Sequence, residues 1–305
     1  MASVNQYDIS AILHSEIAGN VRFGHGQIDS LGDVQRYLNL LHVERSSAKL
    51  NRAARANADL VAKAFRAVRN ARDDRGSLDL YVADPARNAE FLAKCRELGV
   101  SESPYVINKT LFGIRKSGRL KGLHSKRTSI NYEEFAFASE FAATELRYET
   151  GATIDDILCE PSLALRFDAI ARRLAPGHSS FEYRWAMLSI RKLQHRRAVC
   201  VPPLTTTFSL VSDPIDSVPN TLGVYLISER TRPLYARATE HLRHGIDLHR
   251  QPQCLEALSG EFWQPEPKTF TVSYATLPEK KLLRPVEHRL IEEEKPIFNI
   301  LRSAA

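Results

Sequence analysis

Residues 223–250, GVYLISERTRPLYARATEHLRHGIDLHR, decide how the chain reads. Gly223–Ile227 combines Val, Tyr, Leu and Ile and is expected to be a strand. Pro233–Ala236 (PLYA) reads as a second strand, and the turn between the two is polar. Ala238 to Arg250 then reads as a helix. Further on, Thr269 to Ala275 (TFTVSYA) alternates with period two, as a third strand does. Pro278 to Glu294 reads as an amphipathic helix closed by Lys295-Pro296. The expected unit is a small antiparallel sheet flanked by helices, an α+β arrangement, over residues 221–305.

Upstream the texture changes. Residues 201–220 hold four prolines among Ser, Thr and Asp and are expected to be a linker. Residues 1–200 read as a mainly helical, basic region. From Ser47 to Asn70, Ala53, Ala56, Leu60, Val61, Ala64, Phe65 and Val68 form one apolar stripe at helical spacing. Leu78–Ala83 (LDLYVA) is a short strand candidate ended by Asp84-Pro85, followed by a helix from Ala86 to Leu98. Glu133 to Tyr148 is a Phe- and Ala-rich helix. Pro161 fits the first turn of another, running to Leu174, and Ser179 or Ser180 caps a third carrying Phe181, Trp185 and Leu188.

With 305 residues, 43% hydrophobic and 26% charged, the chain is long enough for two globular domains. No stretch approaches the roughly 18 apolar residues of a membrane helix, and MASVNQYDIS lacks the marks of a signal peptide. A cytoplasmic protein with no membrane partner is expected. Cys95, Cys159, Cys200 and Cys254 form no CxxC pair and read as reduced thiols, outside any zinc site or disulfide framework. Of the net charge of +6, none comes from Leu210 onward, where 12 Lys+Arg face 13 Asp+Glu. The positive excess therefore lies upstream, where it suits a polyanion.

One stretch concentrates it. Between Ser103 and Ile130 stand Lys109, Arg115, Lys116, Arg119, Lys121, Lys126 and Arg127, with no carboxylate among them. Gly113, Gly118, Gly122 and several hydroxyls are interspersed. Long cations, hydroxyls and glycine-freed amides are what a phosphate backbone requires, so nucleic-acid binding is expected here. A charged surface loop is the plainer alternative.

The C-terminal unit also carries an ordered series of marks. Gly223-Val224-Tyr225 is followed, ten residues after Tyr225, by Tyr235-Ala236-Arg237. Leu242 and His249 lie on the next expected helix. Glu287 begins EHRLIEEEKPIFN, in which Asn299 is the closing residue. This series resembles the GIY-YIG nuclease superfamily over less than a third of the chain. The resemblance implies a DNA endonuclease, a hydrolase using Mg²⁺ (or Mn²⁺), in restriction, phage defence, repair or mobile-element activity. Glu287 would be the metal carboxylate, Tyr225 would help activate water, and Tyr235 would orient the nucleophile or phosphate. His249 and Asn299 match further positions of the family's site. A divalent ion suits such chemistry because it stabilises charge on the leaving oxygen.

Two positions depart from the family pattern. Gly245 stands where the family places a phosphate-neutralising arginine, and Arg237 replaces the glycine that ends YIG. Loss of one transition-state contact typically costs roughly 100- to 1,000-fold in rate. Arg237 or Arg243 would have to restore the charge. Two readings follow: a Mg²⁺-dependent endonuclease with a DNA-binding helical region, or a silenced module that holds DNA or a partner without cutting. The oligomeric state is open, a homodimer included.

Overall fold

Strand order places the 223–239 hairpin at one side of a four-stranded sheet. The computed structural model describes residues 57–72, 75–117, 120, 123–192, 200–204, 206–259 and 270–300. In it β1 (Thr206–Ser209), β2 (Gly223–Glu229), β3 (Arg232–Thr239) and β4 (Phe270–Thr276) run in the order β1-β4-β2-β3. Every neighbouring pair is antiparallel. Upstream lie α1 (described over 57–71), α2 (Leu78–Ala83), α3 (Pro85–Glu97) and α4 (Pro104–Lys116). They are followed by α5 (Ala136–Thr150), α6 (Ile154–Cys159), α7 (Pro161–Leu174) and α8 (Ser180–Lys192). The sheet carries α9 (Leu242–Asp247), α10 (Pro252–Ser259) packs on the turn after α9 and on α7, and α11 (Leu283–Glu294) returns to the sheet. The architecture is α+β: a helical region beside a small antiparallel sheet.

Strand side chains alternate, so the sheet has two different faces. Val224, Leu226 and Ala236 pack beneath Leu283, Val286, Leu290 and Ile291 of α11. Tyr225, Ile227, Tyr235 and Val272 belong to a core that continues into the helical region through Phe137, Phe141 and Leu174. Phe137 meets Tyr235 edge-on at 5.0 Å between centroids, and Phe141 lies 5.0 Å from Phe298. The helical region therefore covers one face of the sheet directly.

Gly223 permits the tight joint between sheet and α9. A Cβ there would lie 2.2 Å from Leu242 Cδ1 and 2.6 Å from the Ala275 carbonyl oxygen. The outer edge of β3 is closed by side chains. The Ala236 amide donates to Asn299 Oδ1 at 2.8 Å and the Ala238 amide to Glu287 Oε2 at 2.9 Å. Asn299 Nδ2 returns a bond to the Ala236 carbonyl at 3.0 Å, and the Phe298 amide reaches the Leu234 carbonyl at 2.9 Å. An edge that would otherwise offer unpaired backbone groups is thus satisfied.

Several expectations are corrected. Leu78–Ala83 is helical: Ser77 caps it by accepting from the Leu80 amide, and all six residues are buried, so the short apolar run carries no diagnostic period. Residues 206–209, within the expected linker, form β1 and pair with β4. The expected helix from Ala238 starts later, because β3 continues to Thr239, opposite Gly223. It then divides into α9 and a 3-10 turn, Leu248–Arg250. Of the expected Ser47–Asn70 helix, residues 47–56 lie outside the described residues.

Inside the helical region Arg184 and Asp168 form a buried bidentate pair at 2.9 and 2.6 Å. Asp168→Ala leaves the guanidinium buried without its counter-ion. The expected loss of stability, measured by urea unfolding, is about 3–5 kcal/mol.

Candidate functional site

Antiparallel register sets Tyr225 directly opposite Arg237 and Ile227 opposite Tyr235, all on the face turned to the helical region. The 3-10 turn after α9 brings His249 beneath them. Tyr225 Oη lies 2.9 Å from His249 Nε2 and donates to the Gly245 carbonyl at 3.3 Å. Burial pushes both phenols up, with Tyr225 and Tyr235 only 2% and 1% exposed. Burial first, and then the nearby Arg237 charge, push the His249 imidazole down to about 3. At neutral pH all three groups are therefore uncharged.

The charges of the site belong to three side chains. Arg237 Nε faces Glu287 Oε2 at 3.6 Å, and its Nη1 faces Glu140 Oε2 at 3.7 Å. The guanidinium also lies 5.5 Å from the ring centroid of Tyr132. Burial opposes its charge, but Glu287, then Tyr235 and Glu140, outweigh burial and hold its pKa well above the usual value. Glu140 comes from α5. Its Oε2 accepts from Tyr235 Oη at 2.9 Å, and its Oε1 accepts from Asn299 Nδ2 and the Ile300 amide at 3.3 and 3.1 Å. Burial raises the Glu140 pKa against the pull of Arg237.

Beside these groups, between sheet and helical region, lies a cavity of about 290 Å³. Phe137, Leu174 and Leu248 give it apolar wall. Arg237, His249 and Glu133 give it polar wall.

Tyr225, Tyr235, Arg237, His249, Glu287 and Asn299 thus gather at one end of the hairpin. Arg243 does not join them: its Nε donates to the Val218 carbonyl at 2.9 Å and its Nη2 to the Asp216 carbonyl at 3.2 Å. A Cβ on Gly245 would lie 3.1–3.3 Å from Thr239 side-chain atoms, so a larger residue there must displace Thr239. Thr239 in turn donates to Glu133. Sequence reading passed over Glu140, although a lone carboxylate inside the apolar run FASEFAA is the signal of a buried, partnered acid.

The basic stretch is divided. Lys109 pairs with Asp156 at 2.8 Å and Arg115 with Asp79 at 2.6 Å. Burial works to raise the Asp156 carboxyl, but hydrogen bonds from Lys109, Thr153 and Tyr105 hold it down at about 2. Both cations are therefore paired with carboxylates of the fold, Lys109 half-buried and Arg115 exposed. Lys126 and Arg127 are exposed. The Lys126 amide donates to the Arg75 carbonyl at 2.8 Å, and Arg69 Nε reaches the Gly76 carbonyl at 3.2 Å while its Nη2 binds that of His124. Exposed Arg75 therefore joins Lys126 and Arg127, with Asp73 and Asp74 preceding it in the sequence. Arg119 and Lys121 lie outside the described residues, and the side chain of Lys116 is not described.

No protein-family model, no curated protein and no solved structure matches the chain. The divalent ion implied by the family resemblance does not fit the donors present. Glu287 Oε2 accepts a backbone amide and faces a guanidinium, while both Glu140 oxygens accept hydrogen bonds. Among the described residues no group of three His, Cys, Asp or Glu side chains is placed to hold a metal. Nor is any helix there long and apolar enough to cross a membrane.

Two outcomes follow from this geometry. In Arg237→Ala, Glu140 and Glu287 lose the cation between them. The expected loss is about 3–5 kcal/mol, as read from urea unfolding. For His249, the imidazole's ordinary value of 6.5 is depressed to about 3 in the folded chain. Protons then bind preferentially to the unfolded state. This contribution is intact above pH 6.5 and is lost as the pH falls toward 3, at up to about 1.4 kcal/mol per pH unit. Urea titrations should show His249→Gln less stable than the native chain at pH 7, with the gap narrowing by pH 4.

Proposed function

We propose that this chain is a nucleic-acid-binding protein that holds DNA through its helical region without cutting it, and that its C-terminal unit is a silenced GIY-YIG-like module. The observation that carries the reading is the Arg237 guanidinium between Glu140 and Glu287. A protein cation stands beside the very carboxylate, Glu287, that the family resemblance assigns to the metal. Two further observations support it. Tyr225 and Tyr235 are almost fully covered, and Glu140, from the helical region, bonds Tyr235 directly. The family likeness itself is supported by the convergence of Tyr225, Tyr235, His249, Glu287 and Asn299 around the hairpin, and by the close approach of Gly223 to Leu242.

DNA contact is assigned to exposed Arg75, Lys126 and Arg127. Neutralising two or three phosphates gives a binding constant that falls with salt at a log–log slope of roughly 2 to 3. Fluorescence anisotropy with a duplex oligonucleotide should show that slope. A Lys126→Glu, Arg127→Glu double variant should bind at least about tenfold more weakly at low salt. Plasmid DNA should remain intact with Mg²⁺ or Mn²⁺. Cleavage that depends on the ion and disappears in Glu287→Ala would overturn the silenced reading; absence of binding at low salt would overturn the DNA reading.

A further inference from the structure

The helical region leaves one helix face uncovered. α7 turns Ala164, Phe167, Ala171 and Leu174 inward, where they are buried. At spacings of three and four residues its other face carries Ser162, Leu165, Arg166, Ala169, Arg172 and Arg173, all of them exposed. Leu165 is 66% exposed. α5 packs alongside, joined to this face by the Glu149–Arg166 ion pair, and Tyr148 there is 48% exposed. Two of the four large apolar side chains exposed among the described residues thus belong to one surface. Apolar groups scattered singly need no explanation, whereas neighbouring ones mark a contact.

Charge is divided along the same face. Glu160 caps the start of α7, accepting from the Ser162 amide at 3.4 Å and its hydroxyl at 3.1 Å, and Glu149 stands near that end. Arg172 and Arg173 occupy the last turn, about 18 Å along the axis. Arg172 donates to Ser180 Oγ at 3.3 Å, and neither arginine has a carboxylate partner among the described residues. The sequence along the face is therefore acid, then apolar, then base. A phosphate backbone does not match the acidic end or the apolar middle. The same face turned end for end matches all three parts, which is the self-complementarity that a two-fold interface requires.

We propose that a second copy of this chain docks on α7, the two α7 helices running antiparallel across a two-fold axis that passes between Leu165 and Ala169. The large Leu165 of each copy then sits over the small Ala169 of the partner subunit. Arg173 of each copy comes to the end of the helix that holds Glu160 of the partner subunit. One helix face with its neighbours lies at the small end of interface sizes, so the dimer is expected to dissociate on the order of 10 µM. The inference goes beyond the nucleic-acid reading and does not depend on it, because Arg75, Lys126 and Arg127 are not on this face.

Sedimentation equilibrium of the full chain, free of nucleic acid, tests the assignment. A monomer–dimer equilibrium is expected, and Leu165→Glu, at an exposed position, should be monomeric while melting as the native chain does. Arg173→Glu and Glu160→Lys should each weaken the dimer at least about tenfold, because like charges then face one another twice. An equal mixture of these two variants should regain dimer, since both cross-axis pairs are then of opposite sign; thermal melts confirm that each variant folds. A native chain that stays monomeric up to about 200 µM, a Leu165→Glu variant that dimerises like the native chain, or a mixture that regains no dimer would each overturn the proposal.

Discussion

A guanidinium taken out of water must find compensating charge and acceptors, or the fold that buries it is destabilised by several kcal/mol. Arg237 finds that compensation from two directions at once. Glu287 reaches it from α11, on the far side of the edge strand, and Glu140 reaches it from α5 in the helical region. Glu140 also binds Tyr235, Asn299 and the Ile300 amide, so one carboxylate links the helical region, the hairpin and the C-terminal segment. The position of the helical region on the sheet depends on this cluster as well as on the aromatic packing of Phe137 and Phe141.

That dependence decides the electrostatic state of the site. Burial first, and then the charge that the carboxylates hold on Arg237, keep the imidazole of His249 neutral, and burial keeps both phenols protonated. The site thus holds no ionised phenol or imidazole, and its cation is already paired with carboxylates. It retains hydrogen-bonding capacity and an apolar wall, which are the ingredients of recognition.

The third strand was legible in the sequence because its period-two alternation survives in a sheet with two different faces, and the hairpin because two runs of strand-forming residues flank a polar turn. Leu78–Ala83 was not. A six-residue run buried on all sides has no period to read, and the Ser77 cap is visible only once the helix is known. β1 was hidden because its threonines stand among the prolines of 201–220 and look like a linker, while its pairing with β4 spans more than sixty residues of chain. Tyr225, Tyr235, Arg237 and Glu287 were marked as candidates by their ordered spacing. Glu140 was not, because long-range pairing leaves no local pattern beyond a carboxylate among Phe and Ala. The pairing of two cations in the basic stretch was hidden for a similar reason: the carboxylates that engage Lys109 and Arg115 lie 47 and 36 residues away, so counting charges within the stretch could not reveal them.

Glu287 and Asn299 show why spacing alone does not settle chemistry. β3 is an edge strand, and its outward amides at Ala236 and Ala238 need acceptors that no neighbouring strand supplies. Asn299 and Glu287 supply them at 2.8 and 2.9 Å. The same two residues therefore have a structural duty that exists whether or not a metal or a phosphate ever approaches. A carboxylate already accepting a backbone amide and facing a guanidinium can be required by the fold and unused by catalysis. Glu287→Gln separates the two roles, since its amide oxygen can still accept from Ala238 while its charge toward Arg237 is gone. A loss of stability there without any change in nucleic-acid binding would follow from the fold's need alone.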